Sequence, residues 1–270
     1  MQLKSNIKIF AQKNNISAQS VMQIYMFERL LERISVSEYK EIFILKGGVL
    51  ISSIVGLHSR TTMDMDTTLK KYPLSKDKII NIFKEICSIK LDELHFSFLN
   101  IESIRDEDIY GGFRVSLIAE FQTIKVPLKV DITTGDLITP KEISYEYHTL
   151  FDDKTIHILA YNIETVLAEK YETILRRSIF NTRPRDYYDI YILLKTQHQN
   201  INKSLLSKAI RSTFLKRQSS DLLDMKINIL EKIKEDRTMH KRWEKYSKDN
   251  FYAEKIAFDD IIEILNKIKP

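Results

Sequence analysis

The pattern of apolar residues changes once, near Tyr161, and that change dictates the architecture. From Leu94 to Ile132 the segments HFSFLNI, GGFRVSLIAEF and KVPLKVDI are rich in β-branched and aromatic residues, the composition of strands. Gly111-Gly112 suits a turn before the second of them. ISYEY and TIHIL form a further pair around the turn-like FDDK of 151–154. Beyond Tyr161 helical spacing takes over, across 163–178, 185–196, 203–217, 221–235 and 256–268. The expected division is residues 1–160, an α/β domain that includes N-terminal helices, and residues 161–270, a helical domain. The fold class is α+β: a mixed sheet flanked by helices, followed by an all-helical domain. A length of 270 residues accommodates two modest domains.

The first forty residues read as helical. Ser17 can cap a helix through Val21, Ile24, Tyr25, Phe27, Leu30 and Leu31. A short apolar run, IFILK (42–46), stops abruptly at Gly47-Gly48 and reads as a buried strand. Residues 49–55 then suit a short helix closed by Gly56. Alternation in Met63-Asp64-Met65-Asp66 favours a strand. Residues 75–90 form an amphipathic helix with Ile79, Ile80, Phe83, Ile86 and Cys87 inward.

Composition narrows the class. Apolar residues at 43% and a net charge of +5 argue against disorder. A single cysteine, Cys87, excludes an internal disulfide framework and a multi-cysteine zinc site. With no apolar run of membrane length and no secretory leader pattern, a soluble cytoplasmic protein is expected, without a membrane partner. The charge is uneven: Ile190–Pro270 carries 17 Lys+Arg against 11 Asp+Glu, and residues 1–189 are close to neutral. A basic C-terminal third attracts phosphate backbones, although a solvated helical surface would look the same.

The chemistry-bearing residues lie in the N-terminal half. Asp64 and Asp66 are two apart, and in a strand such residues share a face. Neighbouring carboxylates repel, and a cation relieves them; oxygen ligands suit Mg²⁺ or Mn²⁺. Asp131, in Lys129-Val130-Asp131 at the end of an apolar strand, completes a three-carboxylate cluster if its strand pairs near the first. Three acids can hold two metals, the arrangement used for in-line nucleotidyl transfer. Asp131 is then the candidate general base. Gly47-Gly48, between a strand and a helix, lets backbone approach a phosphate at a helix N-terminus. A tight turn without a ligand is the plainer alternative.

LKGG (45–48), a short helix, RTTMDMD (60–66) and KVDI (129–132) together resemble the DNA polymerase β-like nucleotidyltransferase superfamily. LAEK (167–170) and RPRDYYD (183–189) narrow the likeness to the AbiEii/AbiGii family, the toxins of bacterial abortive-infection (type IV) toxin–antitoxin systems. The resemblance spans about residues 40–195. It implies a nucleotidyltransferase-like mixed sheet and a divalent-metal enzyme that takes a nucleoside triphosphate, with GTP bound in the family. It implies RNA, tRNA in relatives, as acceptor, and a cognate antitoxin encoded nearby. Asp64, Asp66 and Asp131 become metal ligands and catalytic residues, and Gly47, Gly48, Arg60 and Lys170 nucleotide-binding residues. Asp186 becomes the residue that orients a catalytic Lys170. Two departures stand out: Gly-Gly replaces the superfamily's Gly-Ser, and Arg185 precedes Asp186 where lysine is frequent.

Some residues can be weighed without the family. Lys170 falls on the apolar stripe of Ile163, Val166, Leu167, Tyr171 and Ile174, so it either reaches out to solvent or meets an anion. Asp186 and Asp189, near a helix start at Pro184, can simply favour the helix dipole. Arg60 suits a substrate phosphate or Asp64. Trp243, with Arg242 and Tyr246, could stack on RNA, but a lone helical tryptophan more often packs in a core. Two competing functions remain: a small-molecule, antibiotic-type nucleotidyltransferase, and a non-catalytic RNA-binding module on a degenerate scaffold.

Overall fold

The computed structural model describes residues 2–70, 75–104 and 111–270. Among them, seven strands form one sheet: β1 (Phe43–Lys46), β2 (Met65–Leu69), β3 (His95–Ile104), β4 (Gly112–Phe121), β5 (Ile124–Thr134), β6 (Ile143–His148) and β7 (Thr155–Ala160). Their spatial order is β3-β4-β5-β2-β1-β7-β6. The sheet is mixed: β1 runs parallel to β7 and β2 parallel to β5, while the other neighbours are antiparallel. The helices are α1 (Gln2–Asn14), α2 (Ala18–Val36), α3 (Gly47–Val55), α4 (Lys76–Ser88), α5 (Ile163–Arg177), α6 (Pro184–Thr196), α7 (Lys203–Lys216), α8 (Asp221–Asp224), α9 (Lys226–Glu235), α10 (Arg237–Asp249) and α11 (Phe258–Lys267).

The chain forms two compact units. The first is Met1–Asp136 with Glu142–Tyr161, and the second is Leu137–Lys141 with Asn162–Pro270. The short stretch Leu137–Lys141 therefore belongs with the helices, not with the sheet that precedes it. Asn162 ties it there: it caps α5 by accepting the Thr165 N–H at 2.8 Å, and its amide donates to the Thr139 carbonyl at 2.8 Å. No described helix is long and apolar enough to cross a membrane.

In the first unit, α2 lies against β5 and β7. Ser17 caps it, accepting the Ser20 N–H at 3.0 Å, and Val21, Ile24, Phe27, Leu30 and Leu31 are buried. Gln23 on α2 is buried too; its amide donates to the carbonyls of Met63 and Pro127, at 3.2 and 3.1 Å. One side chain thus links the approach to β2 with β5. Along β5, Val126, Leu128, Val130 and Ile132 are buried, whereas Lys125, Lys129, Asp131 and Thr133 alternate on the more open face.

Four local expectations needed revision. Asp64 lies in a bend, because β2 begins only at Met65. The Met63 carbonyl accepts from the Gln23 amide and the Asp64 carbonyl from the Thr62 hydroxyl. On α4 the buried set is Ile79, Ile82, Phe83 and Ile86; Ile80 and Cys87 are half-buried. The helix expected over 221–235 is broken at Met225 into α8 and α9. Helix α10 fell outside the expected set, since Met239 and Trp243 are its only buried residues.

Candidate active site

The strand registers place four charged residues in one row across the sheet. Lys46 on β1 is opposite Asp66 on β2, Asp66 is opposite Asp131 on β5, and Asp131 is opposite Arg114 on β4. Register partners project to the same face. The row reads plus, minus, minus, plus, with the two carboxylates on neighbouring parallel strands. The convergence expected of Asp66 and Asp131 is therefore supplied by strand pairing over a sequence separation that periodicity cannot bridge.

Each member has a defined partner. Arg114 binds Asp131 with a bidentate fork, Nε to Oδ1 and Nη2 to Oδ2, both at 2.7 Å. Asp131, Asp64 and Asp66 all act on the Arg114 guanidinium; its hydrogen bonds to Asp131 lead, and together they raise its pKa further. Asp131 is the carboxylate that Arg114 binds; Asp66 and Asp64 act on it from further off, and Asp64 sits outside the strand. Lys46 turns to Asp136, with Nζ 2.5 Å from Oδ2. The same oxygen accepts from Thr133 at 2.8 Å and Tyr161 at 2.9 Å. Burial alone would raise the Asp136 carboxyl; the Lys46 charge and these hydrogen bonds outweigh it and lower it.

Gly47 and Gly48 open α3 beside this row. Gly47 has a φ of +64°, and a Cβ built there would lie 1.9 Å from Asp66 Oδ2. Both the left-handed backbone and the approach of the carboxylate require glycine. The Gly48 N–H donates to Asp66 Oδ2 at 3.2 Å, so Asp66 serves the helix N-terminus as well as the acidic row. Ser52 and Ser53, further along α3, donate to the carbonyls of Val49 and Leu50. Arg60 is buried, 4% exposed, and donates to the adjacent Thr61 carbonyl, so it does not present its charge to solvent.

The donor chemistry fits a hard divalent cation. Carboxylate oxygens are the required ligands, and Asp66 and Asp131 supply them from register positions on neighbouring strands. As the side chains stand, no three His, Cys, Asp or Glu among the described residues are close enough to hold an ion together.

Lys170 and its acids lie in the second unit. The Lys170 side chain is 13% exposed, and its ammonium is 2.8 Å from both Asp186 Oδ1 and Asp189 Oδ2. In the structure two protein carboxylates flank the Lys170 ammonium on the apolar stripe of α5. Burial would raise Asp186; Lys170, then Arg183, outweigh it and hold this carboxyl below its usual range. Trp243 is a core residue: it is 4% exposed and its indole N–H donates to the Ile256 carbonyl at 2.9 Å. Arg242 is likewise engaged with the carbonyls of Ile179 and Asn181.

Arg114, Lys46 and Asp136 escaped the sequence reading as site residues. Arg114 carried one usable signal, a lone arginine two residues into an alternating strand. Its partner Asp131 is 17 residues away, across a hairpin whose register the sequence does not print.

Comparison with known proteins places these observations in a family. The family model described as "Nucleotidyl transferase AbiEii toxin, Type IV TA system" matches residues 29–264. Among solved structures, the chain is similar to JHP933 from Helicobacter pylori, with 14% identity, 93% of this chain and 90% of that chain covered, and a TM-score of 0.53. A second H. pylori structure, provisionally classed as a nucleotidyltransferase, shows 15% identity over 94% of this chain and all (100%) of that one, with a TM-score of 0.49. At such identities the likeness of the first speaks for the fold alone. No curated protein matches. A family match over this span, with its motifs in order, leads to one conclusion: the chain belongs to the AbiEii family of nucleotidyltransferase toxins of type IV toxin–antitoxin systems.

Proposed function

We propose that this chain transfers a nucleotide from a nucleoside triphosphate, GTP as the leading candidate, to an RNA acceptor, with tRNA as that acceptor. The observation that carries the reading is the register pair Asp66–Asp131 on parallel neighbours, beside the glycine start of α3. Asp64, Asp66 and Asp131 would hold Mg²⁺ or Mn²⁺, one ion or two, which would offset triphosphate charge and acidify the attacking hydroxyl. Asp131 would take the proton of that hydroxyl as general base. Gly47 and Gly48 would let the triphosphate approach backbone at the α3 N-terminus. Lys170, oriented by Asp186 and Asp189, is assigned to phosphate on the strength of the family motif. Arg60, buried as it is, is assigned to holding the loop ahead of Asp64.

The RNA acceptor is favoured by one surface. Arg237, Lys241 and Lys245 are exposed on α10 at spacings of four, opposite the buried Met239 and Trp243, while Lys248 beyond them pairs with the exposed Glu244 at 2.8 Å. Such a stripe suits a phosphate backbone. A small-molecule acceptor gains no comparable support. Growth arrest, countered by a cognate antitoxin encoded nearby, is the expected cellular outcome.

The test is direct. Purified protein is incubated with radiolabelled nucleoside triphosphates, Mg²⁺ and total RNA. Label is expected on RNA, and Asp131→Asn should abolish it. Label on an aminoglycoside instead would overturn the acceptor, and transfer undiminished in Asp131→Asn would overturn the catalytic assignment.

A further inference from the structure

The acidic row already contains a cation of its own. Arg114 projects from β4 in register with Asp131 and takes both of its carboxylate oxygens, at 2.7 Å each. The guanidinium also lies in the field of Asp64 and Asp66. Asp131 is 20% exposed and Arg114 35%, so the pair is partly shielded from solvent. A guanidinium and a divalent ion repel, and both want the same oxygens. We propose that Arg114 is a resident counter-cation: it pairs with Asp131 when no metal is bound, and a divalent ion must displace it from Asp131 to load the site. This rests on the metal-site reading above. It adds that metal affinity is set low by a positioning residue, so that loading depends on the divalent ion together with its triphosphate.

The physical logic is exchange. Two carboxylates on adjacent strands repel each other when bare. Arg114 removes that repulsion without coordination geometry and holds Asp131 turned towards β4. Because the fork occupies both oxygens, Asp131 cannot ligate in bidentate fashion until the fork opens. Lys46, the other cation of the row, pairs with Asp136.

The experiment is Mn²⁺ binding to the full chain, by electron paramagnetic resonance or calorimetry, without substrate. The proteins are wild type, Arg114→Gln, Arg114→Lys, Asp131→Asn and the double variant Arg114→Gln/Asp131→Asn. Arg114→Gln should bind Mn²⁺ about tenfold tighter, equivalent to about 1.4 kcal/mol. Arg114→Lys, which keeps the charge without the fork, should fall between the two. Melting temperature should also rise more on adding Mn²⁺ to Arg114→Gln than to wild type. The gain must vanish in the double variant. If Arg114→Gln binds Mn²⁺ no tighter than wild type while Asp131→Asn loses binding, the exchange is wrong and the metal site survives. If neither wild type nor Arg114→Gln nor Arg114→Lys binds Mn²⁺, the metal site and the exchange fall together. Should Arg114→Gln fold poorly, Arg114→Lys alone decides, since an affinity at or below wild type refutes the exchange.

Discussion

Replacing Gly47 with alanine probes the junction between the glycine turn and the acidic row. The new Cβ would stand 1.9 Å from Asp66 Oδ2, 2.5 Å from its Cγ and 2.7 Å from its Cβ. Asp66 must therefore swing away, losing the Gly48 N–H hydrogen bond of 3.2 Å. The φ of +64° adds the left-handed cost of an L-residue, roughly 1–2 kcal/mol. A hydrogen bond to a charged group contributes roughly 1.5–3 kcal/mol, and this long one belongs at the low end. The total is about 2–4 kcal/mol, or roughly 5–15 °C in melting temperature for a chain of this size. Differential scanning fluorimetry with denaturant titration measures it, and nucleotide transfer should fall because Asp66 leaves the row. The decisive comparison is Gly47→Ala in an Asp66→Ala background. There only the 2.7 Å contact with Cβ remains, so the cost should shrink towards the backbone share, a coupling of about 1–2 kcal/mol. Equal costs in the two backgrounds would show that the Asp66 carboxylate does not press on Gly47.

Three other changes test the rest of the chain. Lys170→Met removes the ammonium 2.8 Å from both Asp186 and Asp189, which are 1% and 0% exposed, and should destabilise by about 3–5 kcal/mol. Adding Asp189→Asn should recover part of that stability in urea titrations without recovering transfer, which separates a structural loss from a functional one. Glu28 is buried on α2, where burial pushes its carboxyl up to about 8 against the hydrogen bond from the Leu150 N–H. Its folded value lies above its unfolded value, so its contribution to stability is full at low pH and is lost between about 4.5 and about 8, at up to roughly 1.4 kcal/mol per pH unit. Glu28→Gln should flatten that slope in pH-dependent melts; an unchanged slope would exclude Glu28 as its source. Trp243→Ala should cost about 3–5 kcal/mol as a core truncation while leaving RNA affinity at temperatures below its melt unchanged, as measured by filter binding.

Much of this protein is legible in local pattern. The strand-to-helix change at Tyr161, the β1 run ending at Gly47, the Ser17 cap and the candidacy of Asp64, Asp66, Asp131 and Lys170 all follow from spacing, turn chemistry or motif order, because each is expressed within a few residues of chain. Helix α10 was hidden because its thirteen residues bury only Met239 and Trp243, too few for an apolar stripe. Asp64 lies in the bend before β2, where Gln23, forty residues from Met63, and Thr62 donate to the Met63 and Asp64 carbonyls, contacts that local alternation does not express. What only the tertiary structure decided is the row Lys46–Asp66–Asp131–Arg114. Its members come from four strands, and a register slip of one residue on any of them would turn a charge to the opposite face. That choice is made by the combined burial of the opposite faces, a global quantity, so the pairing of Arg114 with Asp131 could not be read from either segment alone.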